Sequence, residues 1–220
     1  MSARFWTIGH STRSIEDFIA ALEANAIKLL ADVRSLPGSK RYPQFDKEAL
    51  GDSLGKAGIR YEHFPELGGL RKPKKDSRNT AWRNASFRGY ADYMETEEFR
   101  KGVDRLVDLA GKVGPAAIMC AEAVWWRCHR ALISDFLKAR GVEVIHIVDA
   151  TKTESHPFTS AARIVDGSLT YAMGRAGSPN GLASGQAAAQ AKLHRLSAGS
   201  AKSGYDRLLW RRKGSCAELK

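Results

Sequence analysis

Most of the reactive side chains of this chain crowd into one short stretch. Cys120, Glu122, Arg127, Cys128, His129 and Arg130 lie within the run Met119-Cys-Ala-Glu-Ala-Val-Trp-Trp-Arg-Cys-His-Arg130. A thiol flanked by cations near a helix start ionises more readily than a free one, so Cys128 is a candidate nucleophile. His129 and Arg130 at the same place suit an anionic group such as phosphate. Glu122 is a candidate general base. For Cys120 the competing reading is a small, inert, buried hydrophobe.

Further candidates stand at sequence positions where apolar runs end. These are His10 after Phe5–Ile8, Arg34 after Ile27–Val33, Glu66 after Ile59–Phe64 and Asp149 after Val142–Ile147. If the apolar runs are parallel strands, their C-terminal ends converge on one edge, where open α/β sheets bind ligands. His10, Glu66, Glu122 and Cys128 are therefore expected as catalytic groups. Arg34, Arg41, Tyr42, Cys120, His129 and Arg130 are expected to hold the substrate. An alternative is that the arginines pair with Asp32, Glu66 and Glu122 as a structural network. Trp125 and Trp126, with Tyr42, Phe45 and Tyr90, either stack on a planar ligand or cover the sheet edge.

No metal and no cofactor is expected. Cys120, Cys128, His129 and His10 could supply zinc ligands, but the Cys120–Cys128 spacing is not a short knuckle. Adjacent Cys128 and His129 would also diverge on a helix. Bulky Val124-Trp125-Trp126 disfavours a backbone cradle for an anion of the kind that small residues form after a catalytic cysteine.

The elements that must position these groups follow from periodicity. Ser14 can cap a helix that presents Phe18, Ile19 and Leu22 at helical spacing. A second helix runs from Lys47 to Ala57, where Gly58 stops it. Residues 97–109 form an amphipathic helix with Phe99, Val103, Leu106 and Val107 on one stripe. A further helix opens near Arg130 and stops at Gly141. Strands and helices alternate, so the fold class is α/β, with an open, mostly parallel sheet of about five strands and helices on both faces. No glycine fingerprint follows the first strand, which argues against a dinucleotide fold. Asp166-Gly167 between short apolar runs predicts a hairpin.

The net charge of +11 is unevenly placed. Segment 71–88 carries +6 and segment 175–220 carries +7, which leaves the rest at −2. A polyanion could use the basic loop or the basic tail. Residues 1–173 are expected as one α/β domain and 174–220 as a low-complexity, disordered tail. No apolar run reaches the length of a membrane span, the N-terminus lacks a signal-peptide layout, and the three cysteines fit a reducing compartment. A cytoplasmic location without a membrane partner is expected.

Several segments together resemble the family known as domain of unknown function 488. They are Thr7–Ser11, Asp32–Pro37, Arg41–Phe45, Tyr61–Gly69, Phe87–Met94, Met119–Ile133 and His156–Asp166. The resemblance spans about residues 5–173 and implies one cytosolic, bacterial-type α/β domain without an assigned reaction. It also implies that His10, Arg34, Glu66, Cys120, Glu122, Cys128, His129 and Arg130 form one site. The Val124-Trp125-Trp126 connection departs mildly from the family pattern.

The expected function is an enzyme acting on a phosphate- or nucleobase-containing substrate, a nucleotide or a nucleic acid, at the C-terminal edge of the sheet. The alternatives are a non-catalytic nucleic-acid-binding module using 71–88 and the tail, and a cysteine-based redox or metal-sensing protein.

Overall fold

A computed structural model describes residues 4–38 and 40–173 of the 220. The tail 174–220 lies outside the described residues. The described residues form eight strands: β1 (Arg4–Gly9), β2 (Leu29–Asp32), β3 (Arg60–His63), β4 (Ala116–Cys120), β5 (Glu143–Ile147), β6 (Thr153–Ser155), β7 (Arg163–Val165) and β8 (Ser168–Thr170). The α-helices are α1 (Ile15–Glu23), α2 (Lys47–Lys56), α3 (Ala85–Met94), α4 (Glu97–Val113) and α5 (Arg130–Lys138). The main sheet has the order β3-β2-β4-β1-β5-β6. Its first five members run parallel, and β6 adds an antiparallel edge beside β5 that the apolar pattern did not reveal.

Alternation along the strands sorts side chains between two faces. Ile8, Leu30, Ala117 and Met119 point to the side covered by α1 and α2, where Phe18, Leu22, Leu50 and Leu54 pack. Leu29, Ala31, Ile118 and Cys120 point to the opposite side, under Phe99, Leu106, Leu132 and Phe136 from α4 and α5. Full burial of each such Leu, Ile or Phe contributes about 1.5–3 kcal/mol. Cys120 therefore faces the helix layer that carries Cys128.

Local signals fix the helix starts. Ser14 accepts from the Asp17 backbone N–H, Asn84 from Ser86 and Phe87, and Thr96 from Phe99. The hairpin β7–β8 forms around Asp166 and Gly167, both at positive φ (49° and 74°), as a two-residue turn of the twist-compatible kind requires.

A buried polar chain ties the C-terminal segment to the sheet. Thr7 Oγ1 lies 2.6 Å from His146 Nδ1, His146 Nε2 lies 2.9 Å from His156 Nδ1, and His156 Nε2 lies 3.1 Å from Asp135 Oδ1. The carboxylate can only accept, so with neutral imidazoles each group donates onward from Thr7 to Asp135. Asp135 also accepts from the Thr159 backbone and hydroxyl and from Tyr171 O–H. One buried carboxylate on α5 thus anchors the whole segment 156–171. Asp135→Ala is expected to lower stability by about 3–5 kcal/mol, because it leaves several buried donors without an acceptor. Urea unfolding of the variant beside the parent measures this, and a loss under about 1 kcal/mol contradicts the anchoring role.

Candidate functional site

The parallel sheet brings the ends of β1, β2 and β4 side by side. Gly9 is in register with Cys120 on β4, and Asp32 with Met119. His10 N–H donates to the Cys120 carbonyl (3.1 Å), Ser11 N–H to that of Ala121 (2.8 Å) and Val33 N–H to that of Met119 (2.9 Å). The loops after these strands are therefore laced together before any side chain acts.

At the end of β2 a buried ion pair is formed. Arg34, 6 % exposed, clamps Asp32, which is fully buried, with Nη2–Oδ2 at 2.6 Å and Nε–Oδ1 at 2.9 Å. Tyr61 O–H donates to the same carboxylate (2.7 Å), and burial beside that charge pushes its phenol well above the usual tyrosine range. Arg34 Nη1 donates to the Phe45 carbonyl (2.9 Å) and faces His10 Nε2 at 3.5 Å. His10 Nδ1 donates to the Ser11 carbonyl (3.1 Å), and its ring stacks on Phe45 at 4.3 Å. Burial, with Arg34 adding repulsion, lowers the His10 pKa to about 4.

The thiols meet across the β4–α5 connection. Cys120 ends β4. Cys128 follows a 3-10 turn (Trp125–Arg127) in extended backbone, and His129 is the N-cap of α5. Cys128 Sγ lies 3.6 Å from His129 Nδ1, and the ligand atoms of Cys120, Cys128 and His129 all fall within 4.8 Å of one another. The expectation that Cys128 and His129 diverge assumed that both lie on a helix; the change of backbone conformation between them turns both inward. Both thiols are buried. Burial would raise the Cys128 thiol, but hydrogen bonding from the Cys120 thiol and the Arg130 charge act the other way and hold it below its ordinary value. The Cys120 thiol is pushed up, first by donating to Cys128 and then by burial.

His129 is held from three directions. Its Nε2 contacts the Val33 carbonyl at 3.1 Å, so that nitrogen carries the proton and Nδ1 turns its other face to Cys128. The Tyr90 ring of α3 lies 5.0 Å from the imidazole, and Tyr90 O–H donates to the Leu67 carbonyl (2.9 Å). On another side stands Gly69, where a Cβ would overlap the imidazole. Arg130 is 1 % exposed. Its Nη2 donates to the carbonyls of Glu122 and Ala123, and its Nε has no hydrogen-bond partner among the described residues.

The chain matches the family model described as "Domain of unknown function DUF488" over residues 14–137. That span is more than half of the chain and holds both thiols, His129, Arg130 and Arg34. The chain belongs to the DUF488 family. Neither a comparison with curated proteins nor one with solved structures finds a match.

Within this DUF488 domain the sequence-derived candidates separate into three groups. Cys120, Cys128 and His129 form the cluster, with Arg130 and the His10–Arg34 pair as its neighbours at the same edge. Arg34 pairs with Asp32, as the structural-network alternative expects, while Arg130 donates to the backbone carbonyls of Glu122 and Ala123 and to no carboxylate among the described residues. Glu66 turns its carboxylate to Arg105 of α4 at 2.7 Å, outside the thiol cluster, and Asp149 is used in the turn at Thr151 and Lys152. Glu122 and Arg41 are exposed, with Arg41 over the Tyr42 ring at 5.4 Å. Asp32 was expected as a partner of the arginines and is one for Arg34, whereas no local signal marked Tyr61 or Gly69 as part of this edge.

Two buried imidazoles set an acid limit. His10 has its pKa lowered to about 4 and His146 to about 3, both first by burial. From 6.5 downwards the unfolded chain binds protons at these positions that the folded protein refuses. Stability is therefore full above about pH 6.5 and falls as pH is lowered, by up to about 1.4 kcal/mol per pH unit for His146, with His10 acting in the same direction. Urea midpoints followed from about pH 7 to about pH 5 test this, and a midpoint that holds steady or climbs on acidification contradicts it.

Proposed function

We propose that this DUF488 protein is an enzyme whose reactive centre is the Cys120–Cys128–His129 cluster and whose substrate carries phosphate, as a nucleotide or a nucleic acid. The observation that carries this reading is the continuity between the cluster and the basic segment. Gly69, which abuts the His129 ring, is followed at once by Leu70, whose N–H donates to Ser35 Oγ (3.3 Å), and then by Arg71. From there the chain supplies Lys72, Lys74, Lys75, Arg78, Arg83 and Arg88.

This basic segment is held in a defined shape. Asp92, 3 % exposed on α3, accepts from the Lys74 backbone N–H (2.8 Å), Ser77 O–H (2.5 Å) and Asn79 Nδ2 (2.8 Å). Arg71 lies over the Tyr93 ring at 3.6 Å and donates to the Gly68 carbonyl. Lys72, Lys74, Lys75, Arg78 and Arg83 face solvent. A rigid basic surface next to a reactive edge concentrates a polyanion at little ordering cost. Trp126, 55 % exposed in the connection between the two cysteines, offers a ring on which a nucleobase can stack.

The test is turnover of a panel of nucleotides and short single- and double-stranded oligonucleotides, followed by mass spectrometry of the products. For the substrate found, Cys128→Ser is expected to lower kcat at least about a hundredfold. The triple change Lys74→Glu, Lys75→Glu, Arg78→Glu is expected to raise KM and to flatten its salt dependence by about one in log–log slope for each phosphate that is no longer neutralised. No turnover of any phosphate-bearing substrate, or turnover indifferent to Cys128→Ser, sinks this reading.

A further inference from the structure

We infer that Cys120, Cys128 and His129 are the protein ligands of a soft divalent metal ion of the zinc type, with one coordination position left for a non-protein ligand. The three ligand atoms lie within 4.8 Å of one another without any rearrangement of the backbone. Tetrahedral zinc at about 2.3 Å from sulfur and about 2.05 Å from nitrogen sets its sulfur and nitrogen ligands about 3.5 Å apart. The Cys128 Sγ to His129 Nδ1 separation is 3.6 Å. That edge of the coordination polyhedron is already built.

The surroundings of His129 favour the same use. A metal-bound imidazole ordinarily donates its remote ring N–H to a carbonyl or carboxylate, which fixes the tautomer and the ring plane. His129 Nε2 meets the Val33 carbonyl at 3.1 Å, so the proton sits away from the thiols and the Nδ1 lone pair faces them. Gly69 leaves no room for a side chain beside the ring, and Tyr90 leans on it at 5.0 Å. An imidazole packed this tightly is aimed before any ion arrives. Arg130 adds a buried charge that acts on both thiols, and its Nε–H has no acceptor among the described residues.

The donor set decides the class of ion. Two thiolates and an imidazole select zinc-like ions over magnesium or calcium, which take oxygen ligands. Binding releases the two thiol protons to solvent; it oxidises nothing and reduces nothing. No fourth His, Cys, Asp or Glu joins the cluster among the described residues. Three protein ligands with one position for water or a substrate oxygen is the arrangement of catalytic rather than structural zinc sites. The catalytic use of that position rests on the enzyme reading above, whereas the metal site itself does not.

The experiment is titration of the full-length, reduced, chelator-stripped protein with Co2+, followed by absorption and displaced by Zn2+. One equivalent is expected to bind with thiolate-to-cobalt charge transfer in the near ultraviolet and strong tetrahedral bands in the visible, and Zn2+ is expected to abolish both. Cys120→Ser and Cys128→Ser each remove about half of the charge-transfer intensity, while Cys216→Ser leaves it unchanged. Gly69→Ala, which displaces the His129 ring but keeps every ligand, weakens binding about 10–100-fold. His129→Gln retains both thiols and keeps the test decisive if a cysteine variant fails to fold. Co2+ uptake without charge transfer overturns the site, as does a spectrum that survives loss of both Cys120 and Cys128. Stoichiometric metal without turnover of any substrate keeps the site and removes the enzyme reading. Turnover undiminished in stripped protein removes the catalytic role of the open position.

Discussion

The C-terminal edge of this sheet depends on one buried ion pair. Asp32 closes β2 with no exposed surface, and Arg34, two residues on, covers it with a forked guanidinium. Breaking a pair of this kind by removing one partner costs about 3–5 kcal/mol, because the other charge is stranded. Its reach explains its weight. Tyr61 brings β3 to the carboxylate, the Phe45 carbonyl brings the segment before α2 to the guanidinium, and His10 brings the end of β1. The carbonyls of the same short turn are used as well: that of Arg34 contacts His63 at 2.8 Å, and that of Val33 orients His129. Four chain segments remote in sequence thus take their positions from three consecutive residues, Val33 and Arg34 with Asp32.

This arrangement divides the polar residues of the edge into frame and centre. Arg34, Arg130 and His10 belong to the frame: their hydrogen bonds go to Asp32, to the carbonyls of Phe45, Glu122 and Ala123, and to Ser11. The centre is the softer group of two sulfurs and one imidazole. A frame built from charges and carbonyls holds its shape by directional bonds, and that stiffness is what a metal or a reacting group needs from its surroundings. Glu66 serves a different seam. With Glu62 it binds Arg105 and fastens the β3 region to α4.

Much of the architecture was legible in the sequence because alternation and capping are local. Ser14, Gly58, Gly141 and the pair Asp166-Gly167 mark ends and turns that the structure contains, and the strand runs read correctly as a mostly parallel sheet. Of the strand-end residues expected to converge, His10, Arg34 and Cys120 stand at one edge, whereas Glu66 and Asp149 turn to other partners. What failed to be legible was orientation. Whether Glu66 points at a thiol or at Arg105 depends on a residue 39 positions later. Whether Cys128 and His129 agree depends on one change of backbone conformation between neighbours, φ −127° at Cys128 and −57° at His129. The Thr7–His146–His156–Asp135 chain was hidden for the same reason, since His146 looked like one more member of an alternating strand. The short antiparallel β6 carries too few apolar residues to announce itself.

The order of strands in the sheet has a kinetic side. β4 lies between β1 and β2, although the chain makes both of those strands, and β3, before it reaches residue 116. Neither β1 nor β2 can find its final partner on this side until β4 arrives, and contacts of such long sequence separation are the slow ones to form. Cys120 and Cys128 ride on that late strand and the turn after it. Their concealment beneath α3 and α5 is therefore a property of the completed sheet and of no shorter piece. A growing chain carries these thiols exposed until its central strand is seated, so a reducing environment during synthesis protects the centre before the fold itself can do so.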